Sequence, residues 1–253
     1  MSQHGANTQD GSALNLKRVM LFGYSGRMGT EIVALAPEYD FQITGGFSSQ
    51  AKNSELKDVP KALTRVSDFS RLDPAICDSA IDFSLPELTA KVVSWCVRNH
   101  KPLVSGVTGL DELQKSLLED AAKTIPVFWS SNMSVGIAVL ERMLGHLQAL
   151  EDFDFQIEEF HHHRKKDRPS GTALLLQAAL AKAIEKPLPE PISIRGGGIA
   201  GMHRVFAMGE EEMLTFEHTA MNRRVFARGA LRAAQWLNSQ PAGLYGMQDL
   251  LGR

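Results

Sequence analysis

The sequence predicts an α/β protein in which a doubly wound parallel sheet is followed by a second α+β domain with an open mixed sheet. Short apolar runs alternate with helical stretches over roughly the first half of the chain, as in βαβ units. After about Asn132 this rhythm changes, and strand patterns with a period of two follow one another more closely. With 253 residues, the chain is long enough for one large domain or two small ones.

Each predicted element comes from a local hydrophobic pattern. Five apolar runs predict the strands of the parallel sheet, at 18–22, 41–47, 79–83, 102–105 and 125–129. Four stretches between or after them predict helices, at 28–36, 85–98, 110–123 and 135–150. The second domain is predicted to have strands at 152–158, 191–195, 203–208 and 213–218, and helices at 170–184 and 223–237. Residues 48–73 give no assignment, and the polar residues 1–16 predict a disordered tail.

The composition is that of an average globular protein, with 43% hydrophobic and 22% charged residues. The formal net charge of −2 gives no overall electrostatic attraction to nucleic acid. No apolar run approaches the roughly 20 residues that a membrane span needs, and the N-terminus lacks the pattern of a secretory signal. Cys77 and Cys96 are too few and too far apart for a disulfide framework or a zinc ribbon. We therefore expect a cytoplasmic protein with reduced cysteines and no nucleic-acid or membrane partner.

Residues 23–29, Gly-Tyr-Ser-Gly-Arg-Met-Gly, join the first predicted strand to the first predicted helix. Small residues there let the backbone approach a pyrophosphate, and the helix N-terminus supplies unpaired N–H groups. Position 25 is Ser where the common fingerprint has Gly, and a turn that only packs strand on helix is the alternative. The strand before and the helix after favour a Rossmann-like dinucleotide site. The expected cofactor-binding residues are Gly23, Tyr24, Ser25, Gly26, Arg27 and Met28.

The end of the second predicted strand lacks the acid that usually binds the ribose of NAD. Ser48 and Ser49 stand there instead, with Lys52 nearby. Two hydroxyls and a lysine suit a 2′-phosphate better than a carboxylate would, and Arg27 could also reach that phosphate. The hypothesis is that NADPH is used at least as well as NADH. Steady-state kinetics with a strong NADH preference would contradict it.

Two further turns rich in small residues follow later strands, at 105–109 and 130–134. The carboxyl edge of a parallel sheet is where a dinucleotide and its substrate meet. Each turn alone is explained equally well as an ordinary βα loop, but together with the first turn they favour a cofactor site. The expected contacts are Gly106, Val107, Thr108, Ser130, Ser131, Asn132 and Met133.

Residues 158–172, Glu-Glu-Phe-His-His-His-Arg-Lys-Lys-Asp-Arg-Pro-Ser-Gly-Thr, allow three interpretations. A metal site is disfavoured because adjacent histidines on an extended chain point in opposite directions and no matching ligand set stands elsewhere. A nucleic-acid patch lacks a recognition motif. A catalytic pocket explains more: a histidine delivers a proton, a lysine attracts an anion, and the helix opening after Pro169 binds a carboxylate with Ser170 or Thr172 as its cap. We expect no metal.

These motifs make the chain resemble the bacterial 4-hydroxy-tetrahydrodipicolinate reductases (dihydrodipicolinate reductases) of the lysine and diaminopimelate pathway. The matching segments include Gly-Arg-Met-Gly at 26–29, Asp-Phe-Ser-Leu-Pro-Glu at 82–87, Gly-Val-Thr-Gly at 106–109, Asn-Met-Ser-Val-Gly at 132–136 and all of 159–172. Others are 195–197 with Gly201 and His203, 218–229, and 243–247. Three residues depart from the family pattern: Ser48 replaces an acid, Val107 a Thr and Met133 a Phe.

The resemblance implies a homotetramer that uses NADPH or NADH to reduce a small cyclic dicarboxylate to tetrahydrodipicolinate. Hydride adds to C4 of the ring, and the resulting enamine carbanion is protonated at C3. The resemblance makes His161 the proton donor and Lys165 its partner. It places the substrate carboxylates at His162, Lys165, Ser170, Gly171 and Thr172.

The motifs divide the chain by function. Residues 17–131 with 238–253 are expected to bind the dinucleotide, and 132–237 to bind substrate and, through an open sheet, to oligomerise. Two alternatives stay open: a two-domain nicotinamide reductase acting on another amino or keto acid, and a non-catalytic nucleotide sensor. A sensor would be expected to lose the proton donor and the anion site, and both are present here.

Overall fold

The structure is a computed structural model that describes residues 16–48, 64–150 and 152–252. Residues 1–15 of the predicted tail, Ser49 and Lys52 lie outside the described residues. No helix in the described ranges is both long and apolar enough to cross a membrane.

The first of two sheets in the described part of the chain has seven strands, and every pair of neighbouring strands is parallel. Its strands are β1 (Lys17–Phe22), β2 (Phe41–Phe47), β3 (Thr64–Val66), β4 (Ser79–Asp82), β5 (Leu103–Ser105), β6 (Pro126–Trp129) and β11 (Gly243–Tyr245). Their spatial order is β11-β6-β5-β4-β1-β2-β3, so the chain winds outward in both directions from β1 and β4. This confirms the predicted doubly wound sheet.

Helices cover both faces of this sheet, which explains why its strands are nearly continuous apolar runs. In β1, Val19 and Leu21 join the core beneath one face, while Met20 and Phe22 join the core beneath the other. The helices around the sheet are α1 (Arg27–Leu35), α2 (Thr89–Arg98), α3 (Glu112–Ala122), α6 (Arg224–Leu237) and α7 (Met247–Leu250).

The second sheet is four-stranded and mixed, as predicted, with strands β7 (Asp154–His161), β8 (Ile192–Arg195), β9 (Gly201–Met208) and β10 (Met213–Ala220). They lie in the order β10-β9-β7-β8, in which β7 and β8 are parallel and the other neighbours antiparallel. One face packs against α4 (Val135–Leu144) and α5 (Gly171–Ile184). Along the covered face of β7, Phe155 and Ile157 are followed by the buried Glu159 and His161. The inner face therefore changes from apolar to polar near the end of the strand.

The structure corrects several sequence predictions. The helix predicted at 135–150 ends at Leu144, and a short 3₁₀ turn follows Gly145. The last strand of the parallel sheet, Gly243–Tyr245, was not predicted because only Leu244 and Tyr245 stand between Gly243 and Gly246, a pattern that also suits a turn. The strand predicted at 152–158 runs on to His161.

The packing of α6 differs from the predicted domain plan. Its residues Ala227, Ala230 and Leu231 belong to the same core as β1 and α1, although 132–237 was assigned to the second domain. The amphipathic pattern of this helix shows that one face is buried, but not against which sheet. The helix α4 contributes to both cores, with Ala138 in the first and Leu140 in the second. The domain boundaries themselves stay a prediction.

Candidate active site

A cleft of about 620 Å³ lies between the carboxyl edge of the parallel sheet and the start of α5. It brings together most residues predicted for the cofactor and for the substrate. From the cofactor group it is lined by Arg27, Met28, Gly106, Val107, Thr108, Ser131, Asn132 and Met133, and from the substrate group by His161, His162, Lys165 and Thr172. A smaller adjoining recess of about 150 Å³ is lined by Gly23, Ser25, Gly26 and Ser48, among others.

The turn before α1 requires glycine at two positions. Gly23 has a φ of 82°, and a Cβ atom there would lie 2.5 Å from the carbonyl oxygen of Phe83. A Cβ atom at Gly29 would lie 2.3 Å from the carbonyl oxygen of Gly23. The helix begins after Gly26, which has no side chain to cap it, so the amides of its first turn have no side-chain partner among the described residues. The turn is therefore closely packed against α1, and it presents uncapped N–H groups.

The end of β2 carries hydroxyl groups in place of an acid. The strand ends at Phe47, and the Oγ atoms of Ser48 and Ser25 lie 2.6 Å apart. Both departures from the usual fingerprint are thus in contact with each other. The third expected member, Ser49, lies outside the described residues.

Two residues predicted for the cofactor occupy other places. The side chain of Tyr24 is only 4% exposed and packs in the core with α1 and α6, so only its backbone faces the turn. The side chain of Ser130 donates to the carbonyl oxygen of Asn132 at 2.7 Å and supports the loop. Neither lines the cleft or the recess. A glycine pattern identifies the loop, but it does not tell which side chains turn inward.

His161 is held by a buried carboxylate. Its Nδ1 atom hydrogen bonds to Oε2 of Glu159, whose side chain is completely buried. Arg195 on β8 donates to both carboxylate oxygens of Glu159, at 2.7 and 2.6 Å. Burial alone would raise the pKa of Glu159, but the hydrogen bonds from Arg195 and His161 outweigh it and lower that pKa to about 2. Burial lowers the pKa of His161, and the adjacent Glu159 carboxylate opposes that change.

Ser170 is the N-cap of α5, and it is one of the two residues, Ser170 and Thr172, that were predicted for this position. Its Oγ accepts from the amide of Ala173 at 3.2 Å and lies 3.2 Å from Nε2 of His203, while its own amide donates to Glu159 at 3.1 Å. The residue is 1% exposed and does not line the cleft. The side-chain oxygen and the amide of Ser170 are hydrogen-bonded within the protein, and its contact with a substrate stays a prediction. Burial, together with the nearby His161, lowers the pKa of His203 to about 3.

The first amides of α5 lie at the edge of the cleft, which Thr172 lines and Gly171 does not. Within the described part of the chain, the N–H groups of Gly171 and Thr172 have no hydrogen-bond partner, because the cap satisfies Ala173 instead. The side chain of Thr172 accepts from Nδ2 of Asn132 at 2.8 Å. This bond joins the start of α5 to the loop after β6, so the two halves of the cleft are directly connected.

The walls of the cleft are strongly cationic. The charged side chains that line it are Asp167 and five cations, Arg27, Arg164, Lys165, Lys166 and Arg223. Lys165 lies 2.9 Å from Asp167. His162 also lines the cleft, where burial and the nearby Arg223 lower its pKa. Such a wall suits a ligand with several negative charges. Among the described residues, no three His, Cys, Asp or Glu side chains are grouped to hold a metal ion.

The sequence analysis did not identify the residues that contact His161 or hold its partner Glu159 in place. Glu159, Arg195 and His203 each lie in a segment that matches the family pattern, but none received a role. The alternation of β7 puts Glu159 and His161 on one face, which was a usable signal. Their partners come from β8 and β9, more than 30 residues away, and only the strand register reveals them.

Two family models match nearly the whole chain. Residues 17–133 match the family described as "Dihydrodipicolinate reductase, N-terminus", and residues 136–251 match "Dihydrodipicolinate reductase, C-terminus". The 4-hydroxy-tetrahydrodipicolinate reductase of Bdellovibrio bacteriovorus is 45% identical over 234 residues, 92% of this chain and 96% of that relative. The enzyme of the same name from Wolinella succinogenes is 40% identical, over 94% of this chain and all of its own length.

Solved structures share the fold. The dipicolinate-bound dihydrodipicolinate reductase from Paenisporosarcina sp. TG-14 superposes with a TM-score of 0.77 at 20% identity, covering 92% of this chain and 99% of that one. An aspartate dehydrogenase from Thermotoga maritima has a TM-score of 0.52 at 16% identity, covering 89% and 98%. The two family models and the relatives at 45% and 40% identity settle the family: this chain belongs to the dihydrodipicolinate reductases.

Proposed function

We propose that this protein catalyses the NAD(P)H-dependent reduction of 4-hydroxy-tetrahydrodipicolinate, by way of dihydrodipicolinate, to tetrahydrodipicolinate in lysine and diaminopimelate biosynthesis. The observation that supports this most is the shared cleft. The glycine turn of α1 and the His161–Thr172 segment face the same space, and its walls are cationic. A dianionic ring and a dinucleotide both suit such a space.

The residues at the first turn suit a dinucleotide. The uncapped amides of α1 and the absence of a side chain at Gly26 leave room for a pyrophosphate, and Arg27 adds positive charge. Gly106, Thr108 and Met133 line the cleft farther along the sheet edge, where the nicotinamide end would lie. Ser25 and Ser48 would contact the adenosine ribose, and NADPH would be used at least as well as NADH. When bound, NADH or NADPH supplies the hydride.

The chain's own groups would bind the substrate and deliver the proton. The free amides of Gly171 and Thr172, with His162 and Lys165, would hold the ring carboxylates. Loss of water from 4-hydroxy-tetrahydrodipicolinate gives dihydrodipicolinate, whose ring carries the carbon–carbon double bond to be reduced. His161 would give its proton to the carbon of that bond next to the one that receives hydride, which completes the reduction. Lys165 and the helix N-terminus would stabilise the negative charge that grows during the reaction.

We further propose a cytoplasmic homotetramer that assembles through the outer face of the second sheet. Ile192 and Ile194 on β8 are 46% and 39% exposed, and they pair with Glu158 and Phe160 of β7 on the face away from α5. Apolar side chains on an uncovered sheet face favour burial against another subunit.

The experiment is NADPH oxidation followed at 340 nm, with substrate made in situ from pyruvate and aspartate semialdehyde by the preceding synthase. Oxidation should require every component and should vanish in Lys165→Ala. Lys182→Ala, on the distant last turn of α5, is the matched control and should keep its activity. Intact NADPH binding without any oxidation would instead indicate another amino or keto acid as substrate.

A further inference from the structure

We infer that Glu159 is the positioning residue of this reductase: it fixes the tautomer of His161 and ties the proton donor to the N-terminus of α5, while Arg195 keeps it in place. This rests on the proposed function, because it concerns the residue that would donate the proton. The alternation of β7 places Glu159 on the same face as His161 and Glu158 on the opposite face, and the structure shows what the Glu159 carboxylate contacts there.

The Glu159 carboxylate has a complete set of donors. Arg195 donates to both oxygens, His161 to one, and the amide of Ser170 to the other. An ionised carboxylate accepts hydrogen bonds only, so Nδ1 of His161 must carry the hydrogen. A buried carboxylate without these donors would be strongly unfavourable, and the low pKa of Glu159 agrees with its ionised state.

This arrangement decides which nitrogen of His161 reacts. With Nδ1 bound to Glu159, the proton that can leave is on Nε2. After the proton moves to the substrate carbon, the ring stays as the neutral Nδ1–H tautomer and keeps its bond to Glu159. Nε2 lies beside Gly201, where a Cβ atom would be 3.1 Å away. Glycine at this position therefore leaves the reacting nitrogen uncovered by a side chain.

The charged groups around His161 act in opposite directions. Glu159 on β7 favours the protonated ring, whereas Lys165 and Arg195 disfavour it. His203 on β9 lies with its ring centroid 5.2 Å from that of His161 and is held neutral by its low pKa. Glu159 is thus the carboxylate that offsets burial and the two cations, and its removal lowers the pKa of His161.

Glu159 also joins the proton donor to the anion-binding helix. The same carboxylate that holds His161 accepts from the amide of Ser170, the cap of α5. Arg195 extends the connection, since it donates to the carbonyl oxygen of Asp167 at 2.7 Å, and Asp167 pairs with Lys165. One buried group therefore sets the distance between the proton donor and the residues that would hold the substrate carboxylates.

The test compares Glu159→Gln with Glu158→Gln, which alters the neighbouring carboxylate on the other face of β7. Glu159→Gln should lower kcat by up to about 100-fold, the cost of displacing a reacting group by about 1 Å. The high-pH limb of its kcat profile should move to lower pH, because the His161 ring loses its proton more easily. In Glu159→Asp, which keeps a carboxylate, the high-pH limb should return most of the way to its wild-type position. Glu158→Gln should behave as wild type. An unshifted limb with wild-type kcat in Glu159→Gln would overturn the inference.

A second measurement uses the unaltered protein, so it stands even if Glu159→Gln does not fold. Nitrogen-15 NMR of the histidine rings, with His161 assigned from the spectrum of His161→Gln, reports the tautomer of its neutral form. The Nδ1–H tautomer is expected, and an Nε2–H tautomer would overturn the inference. Because this measurement needs no substrate, a failure of the coupled reductase assay would affect the proposed function and leave this result independent.

Discussion

The N-termini of α1 and α5 both face the cleft, but they are built in opposite ways. The first begins at Gly26 with no side-chain cap, and its close packing comes from glycines within the same turn. The second begins at Ser170, whose hydroxyl caps the helix and whose amide bonds to the buried Glu159. One terminus is open and formed by neighbours in sequence, whereas the other is fixed by residues on β7, β8 and β9.

The difference corresponds to what each terminus has to do. A long, flexible dinucleotide needs room and free amides along an accessible groove. A proton donor and a carboxylate site need a fixed separation, because small displacements of reacting groups are costly. Changes at α1 should therefore affect cofactor affinity first, and changes around α5 should affect the rate of the chemical step first.

The largest expected effect comes from His161→Gln, beside the fixed terminus. It removes the proton donor and should lower kcat by about 10²–10⁴-fold, the usual contribution of general acid catalysis. The dissociation constant of NADPH, measured by calorimetry, should change little because α1 is untouched. His163→Gln is the control, since that ring is exposed and, among the described residues, hydrogen bonds only to the carbonyl oxygen of Gly197. An unchanged kcat in His161→Gln would refute the role of His161.

The next effect comes from Gly29→Ala, at the open terminus. The new Cβ atom would lie 2.3 Å from the carbonyl oxygen of Gly23, so the turn must move away from α1. Overpacking of this kind costs about 1–3 kcal/mol of folding free energy, and NADPH affinity should fall with it. Thermal unfolding and fluorescence titration measure the two losses. Gly198→Ala, where nothing lies within 4 Å, should show neither; equal losses in both variants would contradict the account of the turn.

The smallest effect comes from Ser170→Ala, which removes the cap of α5. The amide of Ala173 and Nε2 of His203 both lose their partner. Loss of a serine cap costs about 1 kcal/mol, and urea unfolding should show it as a lower midpoint. Ser239→Ala removes an exposed hydroxyl and should leave the midpoint unchanged. If Ser170→Ala abolished substrate binding without loss of stability, the hydroxyl would be a direct ligand after all.

The sequence predicted the open terminus better than the fixed one, and the reason is physical. The turn at 23–29 is local, so strand, glycines and helix follow one another along the chain. The cap at Ser170 is also local, and it was predicted as one of two candidates. The support of His161 by Arg195 and His203 depends on strand register, which residue patterns do not encode.

The same distinction explains the errors in the fold. The five predicted strands of the parallel sheet agree with the structure within one residue at each end, whereas Gly243–Tyr245, which was not predicted, pairs with β6 over only three residues. The length of α4 was overestimated because the apolar pattern continues past Gly145 into a 3₁₀ turn. The sheet on which α6 packs depends on the whole tertiary arrangement, and its own sequence shows only that it is amphipathic.

The most direct test of the central claim, that the two termini serve one shared cleft, follows the hydride itself. Wild-type protein is supplied with NADPH carrying two deuterium atoms at C4 of its nicotinamide, and tetrahydrodipicolinate is examined by mass spectrometry and NMR. Direct transfer predicts a product one mass unit heavier, with deuterium on ring carbon C4. A product without deuterium would show that hydride does not pass directly between the two sites, and would contradict the account.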